Sequence, residues 1–86
     1  MEKILATHEV EDVDHWFNSP ARQEFFGEYG ITATPFRPQD GSNLVAVLIE
    51  TPDRETFDRA MQADEAAEAM KHDRVNPETL KIFEPN

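Results

Sequence analysis

Apolar residues recur with two different periods along the chain, and these periods predict strands alternating with helices. The segment Lys3 to Val10 is a first strand with two different faces, one of them formed by Ile4, Ala6, His8 and Val10. A second strand is expected over Ile31 to Arg37, where Pro35 indicates an edge of the sheet. A last short strand is expected over Thr79 to Glu84.

The run from Leu44 to Ile49 is apolar at every position, unlike a strand that has one face in water. It therefore predicts a central strand with both faces buried. A turn is expected just before it, around Asp40 and Gly41.

The first helical region begins at Asp12, a residue type that caps helix N-termini, and ends at Gly30. Ser19 and Pro20 form a second capping signal inside it, because proline is favoured at the first position of a helix. We therefore expect this helix to be broken or kinked near Asn18.

The second helical region begins at Thr51-Pro52-Asp53. Its helical spacing predicts an inner stripe made of Phe57, Ala60, Met61, Ala67 and Met70. The acidic residues between them are expected to face water: Glu55, Asp58, Asp64, Glu65 and Glu68.

The order β-α-β-β-α-β predicts an α+β, ferredoxin-like fold over residues 1–86 as a single domain. Its four-stranded antiparallel sheet has the order 4-1-3-2, with the helices on one face. Because the central strand needs cover on its second face, we expect a homodimer formed through that face of the sheet.

The composition narrows the possible partners. Eight basic and eighteen acidic residues give a net charge of −10, which repels nucleic acid and anionic membranes. The chain has no Cys and no visible signal peptide, and its longest apolar run is far shorter than the roughly 20 residues that span a bilayer. We therefore expect a cytoplasmic protein that binds neither nucleic acid nor membrane.

Several local motifs resemble those of one known group. They are His8-Glu9-Val10 at the end of the first strand, Asp12-Val13-Asp14-His15-Trp16, Arg22 before Gly30-Ile31, Asn43-Leu44-Val45, and Met70 before Val75. The chain thereby resembles the dimeric α/β-barrel superfamily, which includes antibiotic-biosynthesis monooxygenase-like and cyclase-like proteins. His72-Asp73-Arg74-Val75 departs from the pattern, since relatives often carry a small residue and Gly before this valine. The resemblance implies a cofactor-independent small enzyme acting on a small apolar or aromatic molecule.

The element order places the three histidines, His8, His15 and His72, at one end of the domain. His8 is the candidate proton-transfer residue, because a strand holds a side chain rigidly and imidazole exchanges protons near neutral pH. Arg37 is expected at the same end, where its guanidinium could hold an enolate, phenolate or carboxylate.

The candidate substrate-binding residues are Trp16, Phe26, Asn43 and His72. The two aromatic rings could stack on an aromatic substrate. We expect no metal, because the histidines form no His-x-His or His-x-x-x-His pair, and no cofactor, because no Gly-rich phosphate-binding loop is present.

Other interpretations of the same residues remain open. His8 could be an ordinary strand-end residue, Trp16 a core residue, and Arg37 a partner for the excess of carboxylates. The alternative function is a non-catalytic dimeric module that binds a ligand or a protein. A cavity beside a neutral His8 would favour an enzyme, whereas a filled space with His8 open to water would favour a module.

Overall fold

The computed structural model describes residues 1–85 and contains four strands and four helices within that range. The strands are β1 (Glu2–Val10), β2 (Thr32–Phe36), β3 (Leu44–Thr51) and β4 (Val75–Phe83). The helices are α1 (Val13–Asn18), α2 (Ala21–Gly27), α3 (Arg54–Gln62) and α4 (Asp64–His72). Asn86, the last residue of the expected domain, lies outside the described residues.

The four strands form one antiparallel sheet in the order β2-β3-β1-β4, which confirms the predicted ferredoxin-like order 4-1-3-2. The central pair is in continuous register from Glu2 opposite Thr51 to Glu9 opposite Leu44. His8 pairs with Val45 near the end of this ladder. β1 lies between β3 and β4, and its unbroken pairing with β3 positions the backbone of His8.

The predicted helix break is present between α1 and α2. Asp12 caps α1 by accepting a hydrogen bond from the His15 backbone N–H, and Ser19 has extended backbone angles that stop the helix. Pro20 then precedes α2, and Gly30 follows it with φ +70°, a conformation that glycine adopts at low cost.

The second helical region is also divided, and here one expected core position is wrong. Asp53, in the segment expected to open this region, caps α3, but Ala63 is extended and separates α3 from α4. The interruption rotates the second piece, so that Ala66 is buried and Ala67 is exposed. A single helical period cannot be continued across an extended residue.

The last strand begins four residues earlier than expected, at Val75 instead of Thr79. The register against β1 shifts between Thr7 and Glu9, and the Glu9 backbone N–H donates to Thr79 Oγ1 at 2.8 Å within this irregular stretch. Pro77 is tolerated because β4 is an edge strand.

The two faces of the sheet differ. The helices cover one face, on which β3 buries Val45, Val47, Ile49 and Thr51. On the open face Leu44 is exposed and Ala46 and Leu48 are half-buried, so the single chain does not bury both faces of β3. Among residues 1–85, none of the helices has the length and apolarity needed to cross a membrane.

Candidate functional site

A cavity of about 80 Å³ lies between the sheet and the helices. Its walls are mainly aliphatic and aromatic, with Ala6, Val47 and Ile49 on the sheet side. The helices contribute Phe25, Phe26, Phe57, Met61 and Met70. Three groups that can carry charge interrupt this apolar lining, namely His8, Arg22 and Asp73. Polar groups set into an apolar concave wall are typical of a small-molecule site.

His8 points into the cavity from β1, on the same face of the strand as Ile4 and Ala6. Only 7% of the residue is exposed, and Nδ1 has no hydrogen-bond partner among the described residues. Burial, together with the nearby positive charge of Arg22, lowers the pKa of His8 to about 4, although Asp73 opposes this shift. The imidazole is therefore neutral at pH 7, with an unpaired nitrogen.

Trp16 forms the cavity wall beside His8. Its indole is 2% exposed, and it meets the imidazole edge to face with ring centroids 5.6 Å apart. Phe26 lies on α2 and is half-buried against the same core. The structure thus brings together three of the expected site residues, His8, Trp16 and Phe26.

Arg22 lies in the cavity wall, although sequence reasoning assigned it no role in the site. Its side chain is buried, with the guanidinium carbon 4.6 Å from the Trp16 ring centroid. It donates to the backbone oxygens of Trp16 at 3.3 Å and Phe17 at 3.4 Å, while its Nε has no partner among the described residues. The sequence does contain a signal for the inward position of Arg22. It precedes Phe25 by three residues and therefore lies on the same face of the helix.

Asp73 is the second missed residue. It is the C-cap residue of α4, and its side chain lines the cavity and is almost fully buried. Its Oδ1 lies 2.9 Å from His72 Nδ1. Nothing in the sequence distinguishes Asp73 from the many acidic residues that are expected to face water.

Three expected site residues do not line the cavity, and Arg37 and Asn43 are two of them. Arg37 is exposed, with its guanidinium carbon 4.2 Å from the Phe17 ring centroid and Nη1 3.0 Å from Asp14 Oδ1. These contacts hold it on the surface, outside the cavity lining. Asn43 is also exposed and contributes its backbone oxygen, which accepts a hydrogen bond from the Val10 N–H at 3.1 Å.

His72 is an exposed neighbour of the cavity and does not line it. Its ring lies beside that of His15, with centroids 5.7 Å apart, and His15 Nε2 is 3.1 Å from the His72 carbonyl oxygen. One potential ligand atom from each of His15, His72 and Asp73 lies within 4.8 Å of the other two. The fold therefore joins two histidines that are far apart in the sequence.

The cavity combines an uncharged nitrogen base with a buried cation. Because the walls are mainly apolar, the charge of Arg22 acts more strongly on an anion formed beside it than it would in water. The arrangement can bind a molecule with an apolar body and can accept a proton from it.

The fold of this chain is similar to that of several proteins of known structure. No protein-family model matches the sequence, and no significant match occurs among curated proteins. An antibiotic biosynthesis monooxygenase of known structure superposes with a TM-score of 0.70 at 13% identity, over 100% of this chain and 97% of that protein.

Two further solved structures are similar. A conserved protein from Methanosarcina mazei Go1 gives a TM-score of 0.64 at 17% identity, over 98% of this chain and 91% of that one. A Deinococcus radiodurans protein, provisionally named an antibiotic biosynthesis monooxygenase, gives a TM-score of 0.58 at 14% identity, over 96% of this chain and 88% of that one. The chain therefore has the fold of antibiotic biosynthesis monooxygenase-like proteins, as its sequence motifs imply.

Proposed function

We propose that this protein is a cofactor-independent small enzyme, monooxygenase- or cyclase-like, in which His8 transfers a proton of a small apolar or aromatic substrate. The observation that carries the proposal is the neutral, buried imidazole of His8, which lines an apolar cavity and whose Nδ1 has no hydrogen-bond partner among the described residues. The fold shared with monooxygenase-like proteins supports the reaction class.

In this proposal Arg22 takes the role that sequence reasoning gave to Arg37. When His8 removes a proton, the substrate becomes an enolate or phenolate, and the buried guanidinium of Arg22 stabilises its negative charge. The new anion also attracts the imidazolium, which raises the pKa of His8 from its low resting value. Trp16 and Phe26 shape the walls that hold the substrate body.

A monooxygenase-like reaction then requires only dioxygen as oxidant. The substrate methylene group, deprotonated to the enolate, is oxidised to a carbonyl group. One oxygen atom of dioxygen stays in that carbonyl, and the other leaves as water with the two hydrogens of the methylene group. The substrate carbon supplies all four electrons that dioxygen accepts, so no further reductant is needed. A cyclase-like reaction would use the same first proton transfer without dioxygen.

Hydrogen–deuterium exchange of 2-tetralone in deuterated water tests the proton-transfer step directly. This bicyclic ketone has an apolar body and an enolisable methylene group, and its exchange is followed by NMR. We expect the protein to accelerate exchange, and His8→Gln to lower that acceleration by about 10²–10⁴-fold, the usual contribution of a general base. Arg22→Gln should also lower it, whereas Arg59→Gln, which removes a charge from an exposed helix position, serves as the matched control.

The alternative is a non-catalytic dimeric module that binds a ligand or a protein. The low pKa of His8 favours it in one respect, because an imidazole with a pKa of about 4 is a weak base. Under this alternative 2-tetralone would shift the NMR signals of Phe26 and Trp16, but the exchange rate would be the same for wild type and His8→Gln.

We further propose a cytoplasmic homodimer formed through the open face of the sheet. Register places Leu5, Leu48 and Phe83 side by side on this face, and Leu5 and Phe83 are 38% and 49% exposed. Exposed apolar side chains grouped on a sheet mark an association surface. Covering them would bury the second face of β3, as its uninterrupted apolar sequence predicts.

Sedimentation of two variants tests the dimer. Wild type should sediment at twice the 9.9 kDa chain mass at micromolar concentration. Leu5→Glu should dissociate it without unfolding the chain, because Leu5 faces outward. Ala67→Glu adds the same charge to the exposed side of α4 and should leave the dimer intact. A wild-type mass near 9.9 kDa would exclude the dimer.

A further inference from the structure

A group of nitrogen and oxygen ligands lies at the edge of the cavity, with Asp73 in the cavity wall, and has no assigned role in the proposed reaction. It consists of His15 on α1, His72 in the last turn of α4, and Asp73, the residue that caps α4. One potential ligand atom from each lies within 4.8 Å of the other two. The residues come from two separate helices, so the grouping is produced by the tertiary fold.

The chemistry of these three side chains suits a transition metal. Two imidazoles and one carboxylate are ligands that Zn²⁺ and related ions accept, usually with three protein ligands where a coordination position stays open. Ligand atoms around Zn²⁺ lie about 2.0–2.2 Å from the ion. The side chains must therefore close together slightly, and the His72 side chain, 60% exposed, has room for this small movement.

Contacts already present hold the group in place. His72 Nδ1 lies 2.9 Å from Asp73 Oδ1, and His15 Nε2 lies 3.1 Å from the carbonyl oxygen of His72. The Asp73 carboxylate is almost fully buried, which is unusual for an acid unless it has a charged or hydrogen-bonding partner. The C-terminal end of α4 and the net charge of −10 both favour a cation here.

We propose that His15, His72 and Asp73 form a binding site for one divalent transition-metal ion of the Zn²⁺ class. The expectation of no metal rested on separation along the chain, whereas the ligands here are contributed by α1 and the end of α4. The proposal goes beyond the enzymatic function, because it does not depend on His8 accepting a proton.

The chain contains an internal control for this proposal, since only three histidines are present and His8 lies outside the group. Protein without a polyhistidine tag is titrated with Zn²⁺, and the imidazole signals are followed by NMR. We expect the His15 and His72 signals to change together and saturate at one ion per chain, with a dissociation constant of about 10 µM or tighter. The His8 signals should shift less than those of either ligand, because His8 contributes no ligand atom to the group.

Variants separate a built site from casual binding to an acidic surface. His15→Ala and His72→Ala should each weaken Zn²⁺ binding by about tenfold or more, and circular dichroism shows whether they remain folded. Asp64→Asn removes an exposed carboxylate at the start of α4 and should bind as wild type does. Mg²⁺, which prefers oxygen ligands, should not displace Zn²⁺.

Three results would overturn the proposal. One is a response of His72 alone, which would indicate attachment to a single exposed imidazole. Another is unchanged affinity in folded His15→Ala. The third is a response that rises without saturation and is abolished by Mg²⁺, because this pattern indicates diffuse attraction to carboxylates.

Discussion

The imidazole of His8 meets the indole of Trp16 at an interplanar angle of 81°, with the ring centroids 5.6 Å apart. One residue comes from the central strand and the other from the first helix, so the contact joins the sheet to α1 inside the core. The edge-to-face arrangement fills space around the imidazole without giving Nδ1 a hydrogen bond. Burial beside Trp16, together with the nearby charge of Arg22, keeps the imidazole neutral.

The buried His8 makes folding stability depend on pH in acid. Its pKa is about 4 when folded and 6.5 when unfolded, so the unfolded chain binds more protons between these values. Stability should therefore fall as pH decreases from 6.5 to 4, by at most about 3 kcal/mol from this group. Urea unfolding of wild type and His8→Gln across this pH range measures the loss of stability that is due to His8. Equal pH slopes in the two proteins would contradict the assignment.

Removal of the Arg22 charge should raise the pKa of His8. After burial, the positive guanidinium is the next largest cause of the low value. We expect Arg22→Gln to move the NMR titration midpoint of His8 upward, and Arg59→Gln, an exposed arginine, to leave it in place. A midpoint unaffected by Arg22→Gln would mean that the two side chains do not interact.

Arg74 occupies a conformation that favours glycine, with φ +58° just after α4. Arg74→Gly should stabilise the protein by up to about 1 kcal/mol, since glycine adopts this angle at lower cost. Arg74→Ala keeps the strain and removes the same side chain, so it should not stabilise. The difference between the two free energies of unfolding isolates the backbone contribution.

A charge placed in the core at Val47 should prevent folding or weaken it strongly. Val47 is 4% exposed on the helix-covered face of β3, and an unpaired carboxylate buried there costs several kcal/mol. Val47→Ala should cost only about 2 kcal/mol, from lost apolar burial and the space left behind. A melting curve of Val47→Asp equal to that of wild type would refute the burial of this position.

Affinity for DNA or RNA should be negligible. The net charge of −10 repels phosphates, and few basic residues are available to neutralise them. A gel-shift assay in moderate salt should show no complex at micromolar protein. A retarded band at submicromolar protein would disprove this expectation.

Much of the fold follows from local sequence. Asp12 and Asp53 cap helices, Ser19-Pro20 interrupts the first helical region, and Gly30, three residues after the end of α2, has positive φ. These features are predictable because they depend on backbone conformation within a few residues. No local sequence signal predicts the extended conformation of Ala63, so the sequence does not predict the burial of Ala66 that follows from it.

The sequence by itself determined the order of the elements and the strand order of the sheet. It also placed His8, Ile4 and Ala6 on one face of β1, because side chains alternate strictly along a strand. Only the tertiary structure decided which charged groups share the cavity. Arg22 lines the cavity because its guanidinium packs on Trp16 in the core. Arg37 does not, because its guanidinium packs on Phe17 near the surface. Long flexible side chains reach several Å from their backbone positions, so element order fixes the end of the domain but not the final contacts.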